Sequence, residues 1–169
     1  MRKTVWMLFL IVATLSFADS ATDKTTRALD DSQEELVKES FRTLVSAYLD
    51  KDIETFMEHV SEAKFQQDYI TFEDAIREDF RVYNLLDLDY WFEQIVPDGD
   101  DLVYMKVRWH KEYESMRSSK LHRKNGISWF LFMKRDGTYK LIGMAGQAMW
   151  GESRTEWLQE TPISSRKMR

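Results

Sequence analysis

The stretch WFLFMKRDGTYKLIGMAG, Trp129 to Gly146, decides how this chain folds. Asp136-Gly137 is a two-residue hairpin turn, because Gly137 tolerates the positive φ that such a turn demands. The turn sets a register. Trp129 lies opposite Met144, Leu131 opposite Ile142 and Met133 opposite Lys140 on one face, while Phe130 opposes Gly143, Phe132 opposes Leu141 and Lys134 opposes Tyr139 on the other. A strand with one wet face alternates apolar and polar residues, yet residues 129–133 are apolar on both. The first face is richer in large aliphatics and is expected to be core. The second, Phe130, Phe132, Tyr139 and Leu141, is then an outer patch whose side chains are each worth about 1.5–3 kcal/mol when buried. Contiguous patches of that kind need a cover.

Working upstream, Val103, Met105, Val107 and Trp109 alternate with Tyr104, Lys106, Arg108 and His110, and Leu86, Leu88, Tyr90 and Phe92 alternate with Asp87, Asp89, Trp91 and Glu93. These are two further strands joined by the turn VPDGDD. Before Tyr83 the period is helical. Val37, Phe41, Leu44, Val45 and Tyr48 share one face of a helix that opens on a Ser32/Glu35 capping box. Asp52 caps a second, short helix with Ile53, Phe56, Met57 and Val60 inside, and Thr71 caps a third with Phe72, Ile76 and Phe80 inside. AKFQQDYI (63–70) is a short extended connection. Three N-terminal helices followed by a four-stranded antiparallel meander, with one additional short strand, make an α+β domain in which the helices cover one sheet face.

The domain is expected over residues 32–150. The first 18 residues, MRKTVWMLFLIVATLSFA, have the positive start, apolar run and small residues (Ser16, Ala18) of a cleavable secretory signal, and the run is shorter than the ~20 residues of a spanning helix. Residues 19–31 read as a flexible segment and 151–169 as a C-terminal tail. The mature chain is expected to be exported, periplasmic or secreted, without a stable membrane anchor. Loss of Arg2 and Lys3 takes the net charge from −5 to −7, which argues against nucleic acid as a partner. The chain has no Cys, so disulfides, thiol nucleophiles and thiolate metal sites are excluded. His59, His110 and His122 show no metal-ligand spacing, and Gly143, Gly146 and Gly151 make no phosphate loop, so neither a metal nor a cofactor is expected.

LVSAYLDKDIETFMEHV, KFQQDY and GISWFLFMKRDGTYKLIGMAG, in that order, resemble the first two helices, the short first strand and the closing hairpin of the nuclear-transport-factor-2-like superfamily, which includes SnoaL-like proteins and ketosteroid isomerase. The resemblance covers roughly residues 33–150 and implies a sheet curled into a cone whose mouth holds a small apolar ligand. It also implies where catalysis would sit. The isomerase's Tyr falls near Leu44, its base near Asp68, and its oxyanion-stabilising Asp at Ile127 or Trp129 on the inward side of the third long strand. Leu44 and Ile127 or Trp129 are apolar, and none of them carries the hydroxyl or carboxyl group that the isomerase uses to stabilise an enolate.

Three readings follow. The first is a non-catalytic domain that binds a small ligand or a protein, with Met105, Val107, Trp109 and Trp129 as pocket wall, joined by Val103, and Tyr48, Asp68 and Tyr90 as polar points. The second is a SnoaL- or ketosteroid-isomerase-like enzyme acting on a small apolar or polyketide-like molecule, in which Asp68 moves a proton and Tyr48, one turn after Leu44, holds the charge. It requires both groups to point into one enclosed cavity. The third is an interaction module whose cone is filled by its own side chains. The Phe130, Phe132, Tyr139 and Leu141 patch favours a homodimer through the outer sheet face. A tail cover by Trp157 and Leu158 and a different protein partner are the alternatives.

Overall fold

The computed structural model describes residues 29–154; the expected signal segment and the Trp157-Leu158 pair lie outside the described residues. Helix α1 runs Asp31–Leu49, α2 Ile53–Glu58 and α3 Tyr69–Val82, and a 3-10 turn spans Glu62–Lys64. Strands β1 (Tyr83–Asp98), β2 (Leu102–Ser115), β3 (Lys120–Arg135) and β4 (Thr138–Gly146) form one antiparallel meander in the order β1-β2-β3-β4. The expected α+β architecture, three helices on a four-stranded sheet, is present.

Two helix starts differ from expectation. α1 is capped by Asp30, whose carboxylate accepts from the Gln33 amide at 2.8 Å and from the Ser32 hydroxyl at 2.6 Å. Glu35 pairs with Arg42 instead of closing a capping box. α3 is capped by Asp68, which accepts from the Thr71 amide at 2.7 Å, so Thr71 is inside the helix. In both places an Asp three residues before the amide out-competes a nearby hydroxyl, since a carboxylate is the better acceptor at the positive helix end. Asp52 caps α2 as expected, at 3.0 Å from the Thr55 amide. Lys51, in the turn after α1, has φ 58° and donates to the Phe80 and Tyr83 carbonyls, which ties the α1–α2 break to the negative end of α3. The stretch 63–70, expected as a short extended connection or strand, is instead the end of the 3-10 turn, a bend and the first residues of α3. Beside it Val60 bridges Leu141 in parallel and the Gln66 amide donates to the Ile142 carbonyl at 2.7 Å.

The hairpin turn is as read: Asp136 and Gly137 have φ 50° and 83°. The register holds from Arg135–Thr138 to Phe132–Leu141 and then slips by one at a bulge. Beyond it Leu131 opposes Gly143, Phe130 opposes Met144 and Trp129 opposes Ala145, with Ile142 as the extra residue.

The two faces of β3 are the reverse of the expectation. Phe130 and Phe132 are fully buried in the core together with Tyr139 and Leu141, so these four residues form no outer patch. The reason is parity. Ser115 pairs with Lys120 across the β2–β3 turn, which places Phe132 opposite Val103 and Phe130 opposite Met105, and opposed residues share a face. Val103, Met105, Val107 and Trp109 are the buried side of β2, so Phe130 and Phe132 point inward. Aliphatic content misleads here because the inner surface is aromatic. Phe41 of α1 meets Tyr90, Phe92, Phe130 and Trp150 at ring-centroid distances of 5.0–5.6 Å. The first three are edge-to-face and the fourth is tilted; aromatic pairs of the edge-to-face kind add about 0.5–1.5 kcal/mol each beyond area burial. Trp129 lies on the outer face, half-buried, with the Lys106 ammonium 5.9 Å from its ring centroid. Leu131 and Ala145 share that face yet are buried within the single chain.

After Gly146 the chain does not extend the sheet. β4 pairs β3 from Ser128 to Arg135; Gln147 stays at the edge of β3, its amide donating to the Ile127 carbonyl at 3.2 Å, and Ala148, Met149 and Trp150 turn into the core. Met149 and Trp150 are fully buried, the indole lying 5.1–5.6 Å from the rings of Phe41, Phe56 and Phe130. Residues 151–154, read from sequence as the start of a tail, continue this docked segment: Gly151 is buried, and the Glu152 and Ser153 amides hydrogen-bond to α3.

Candidate functional site

The residues expected to carry chemistry do not come together. Asp68 is exposed, and its carboxylate is spent on capping α3. Hydrogen bonds from the Thr71 amide and hydroxyl hold that carboxyl below the usual carboxylate range, which weakens it as a base. Tyr48 is fully buried on α1, and its hydroxyl donates to Asp79 Oδ2 at 2.6 Å. The two share no enclosed cavity, as the proton-transfer reading required. Of the other isomerase positions, Leu44 is fully buried, whereas Ile127, 40% exposed, and Trp129 are on the outer face. The inward residue at that level is Ser128, which accepts from Trp109 Nε1 at 2.8 Å and donates to the Gln147 carbonyl at 2.5 Å.

Met105, Val107 and Trp109 do form the inner sheet wall, and Tyr90 reaches it from β1 beside Phe41 and Phe92. What they enclose is the chain's own segment around Trp150. Trp129 is not part of that wall.

The polar groups that converge lie at the rim of the cone. Asp79, on the inner stripe of α3 with Phe72 and Ile76, is fully buried. Its Oδ2 accepts from Tyr48 and from the Glu152 amide at 3.0 Å, and its Oδ1 from the Ser153 amide at 2.8 Å. Lys111 of β2 is fully buried as well. Its ammonium donates to the Met149 carbonyl at 2.9 Å and pairs with Glu152 Oε2 at 2.9 Å. The other Glu152 oxygen receives Lys124 of β3 and the Tyr113 hydroxyl, the latter at 3.0 Å. The Lys111 ammonium also lies 5.4–5.9 Å from the ring centroids of Tyr48, Trp109 and Tyr113. Burial pulls Lys111 down to about 8, against the opposing charge of Asp79. Burial first, and then the Asp79 charge and hydrogen bond, push the Tyr48 hydroxyl well above its ordinary value. Burial pushes Tyr113 up to about 12.

None of Asp79, Lys111, Glu152 or Trp150 was singled out from the sequence, although two carried a signal. Asp79 falls seven residues after Phe72 on the apolar stripe of α3, and Lys111 continues the inward alternation of Val107 and Trp109. A charge at an inward position is the mark of a buried, partnered group.

A second feature lies on the outer face. Trp91 of β1, Arg108 of β2 and Ile127 of β3 stand in one row across three strands, with His110 and Asn125 in the next. With Trp109, Gly126 and Gln147 they line an open groove of about 490 Å³. Trp91 is 54% exposed. Arg108 is held by Glu93, which also pairs with Lys106 at 3.0 Å, and Glu112 pairs with Arg123 at 2.7 Å and meets His110 at 3.5 Å. These charged residues of the outer face therefore compensate one another.

No family model and no curated protein matches the chain. Solved structures do. A ketosteroid isomerase-like protein from Erwinia carotovora atroseptica aligns with a TM-score of 0.56 at 10% identity, over 70% of this chain and 99% of that one. A nuclear-transport-factor-2-like protein of unknown function from Shewanella oneidensis gives 0.54 at 10% identity, over 69% and 99%. The association domain of C. elegans CaMKII gives 0.50 at 12% identity, over 69% and 97%. The chain thus has the nuclear-transport-factor-2-like fold, and at these identities the likeness speaks for fold alone.

Proposed function

We propose that this chain is an exported, non-catalytic interaction domain that pairs with a second copy of itself through the outer face of its sheet. The observation that carries the reading is the contrast between a cone packed with its own side chains around Trp150 and an open outer groove flanked by Trp91 and Ile127. Exposed large apolar side chains beside a self-compensated charged row have the composition of an interface, an apolar centre with a polar rim. A solved neighbour of the same fold is named for association. Export rests on the first 18 residues. The enzyme reading loses ground because Asp68 is a solvent-exposed helix cap and Tyr48 is committed to Asp79. Ligand binding in the cone is left with one foothold, the place where Glu152 is clamped.

Sedimentation and intact mass of the chain recovered from the periplasmic fraction test both parts together. The expected species is a dimer of chains beginning at Asp19, shifted to monomer by a double variant, Trp91→Glu with Ile127→Asp, whose circular dichroism is unchanged. A wild-type chain that sediments as a monomer at the highest attainable concentration ends the dimer reading. A mass that retains the first 18 residues ends the cleaved-signal reading.

A further inference from the structure

The segment that fills the cone is held the way a ligand is held. Lys111, buried and without solvent, has the faces of three aromatic rings around it from the scaffold, but its hydrogen-bond and ion-pair acceptors, the Met149 carbonyl and the Glu152 carboxylate, both belong to the inserted segment. Lys124 and Tyr113 converge on the same carboxylate. Two cations and a phenol fixed on adjacent strands around one carboxylate are a preorganised anion receptor. Two residues earlier in the chain, Trp150 sits among Phe41, Phe56 and Phe130. The fit of this indole is incomplete, because Nε1 is buried and has no hydrogen-bond partner among the described residues. An unmade hydrogen bond of that kind costs about 1–3 kcal/mol. Gly146, at φ 92°, precedes the segment and Gly151, at φ 65°, lies within it, two left-handed positions that glycine adopts without steric cost.

We propose that residues 149–153 are a built-in, displaceable occupant, and that the space they fill is a receptor for a small aromatic carboxylate. The ring of that ligand takes the Trp150 position among Phe41, Phe56 and Phe130, and its carboxylate takes the Glu152 position on Lys111, Lys124 and Tyr113. The site lies on the inner side of the sheet and the Trp91–Ile127 groove on the outer, with Trp109 bordering both; the amides that report on the site are on the inserted segment, so its test does not depend on the dimer. A ring and a carboxylate arrive either as a free acid or on a peptide, and both bind by the same contacts.

Hydrogen exchange on the full wild-type chain tests this without a destabilising variant. The Glu152 and Ser153 amides, which donate to Asp79, report whether the segment is docked. The expected result is that they exchange by a local opening, faster than the core amides of β2 and β3. Indole-3-propionate, or an end-blocked peptide of residues 148–153, then accelerates them by capturing the open form. At ten times the dissociation constant for that form the acceleration is roughly tenfold, with the core amides unchanged. The neutral alcohol indole-3-propanol does not reproduce it. Which of the two carboxylates acts tells whether the natural ligand is a free acid or a chain. The proposal is overturned if neither probe changes these amides, if they exchange only with global unfolding, or if the alcohol acts as well as the acid.

Discussion

Glu152 and Lys111 are partners, but they are not equally dependent on each other. Without its carboxylate, as in Glu152→Gln, Lys111 is left as a fully buried ammonium with the Met149 carbonyl for an acceptor and the Asp79 charge as its remaining electrostatic support. Without its ammonium, as in Lys111→Met, Glu152 keeps Lys124 and Tyr113 and the apolar stem is preserved in volume. Stranding a buried charge costs on the order of 3 kcal/mol, whereas replacing one by a packed hydrophobe of similar size is close to neutral. Glu152→Gln is therefore expected to lose about 3 kcal/mol in urea unfolding at neutral pH and Lys111→Met about 1 or less. The Glu152→Gln penalty shrinks at higher pH. Burial already holds Lys111 near 8, loss of the carboxylate lowers it further, and above that value the folded protein carries no stranded charge. Equal losses, or the reverse order, would show that the clamp is not centred on the carboxylate.

At the scale of elements, Gly126 on β3 is the point where the inner wall depends on a missing side chain. A Cβ there would lie 2.5 Å from the Trp109 ring and 2.6 Å from Gln147 Oε1. Both groups are anchored, Trp109 by Ser128 and Gln147 by the Ile127 amide at 2.7 Å. Gly126→Ala is expected to cost about 1–3 kcal/mol through overpacking and to change the near-ultraviolet dichroism of Trp109. An unchanged midpoint would mean that the two side chains yield freely. The same strands show what the sequence discloses and what it withholds. Periodicity and the Asp136-Gly137 turn were sufficient to place all four strands, three helices and their order. Which face of β3 is inward depends on the parity of a four-residue connection, 116–119, and a one-residue error there moves every side chain to the other face. That is why Phe130 and Phe132 read as interface and are core. The site is still harder to read. Asp79 and Lys111 stand at inward positions that periodicity marks, but their meaning comes from Glu152, 41 residues beyond Lys111 in a segment with little apolar pattern. Local pattern does not report a contact made at that separation.

For the molecule as a whole, the buried phenols fix how it meets alkali. Tyr48 and Tyr113 are both raised in the folded chain, chiefly by burial, Tyr113 to about 12. The unfolded chain ionises its tyrosines near their ordinary value of about 10, so above that pH it holds fewer protons than the folded chain and stability falls as pH rises. Lys111 acts in the opposite sense. Its folded value lies below its unfolded one, so from about pH 8 to about pH 10 its contribution to stability increases. The two effects combine into a stability that holds or rises toward about pH 10 and then drops steeply toward about pH 12. Tyr48 ties α1 to α3 through Asp79, and Asp79 ties α3 to the inserted segment, so ionising this phenol works against the helices and the segment together. Tyr48→Phe removes one titrating group while leaving Asp79 its two backbone donors. It is expected to lower stability at neutral pH by about 1.5–3 kcal/mol, the worth of a hydrogen bond to a charged group, and to flatten the alkaline fall. Urea unfolding of both proteins at about pH 9 and about pH 11 reads the difference. Parallel falls in the two would place the alkaline sensitivity outside the Tyr48–Asp79 pair.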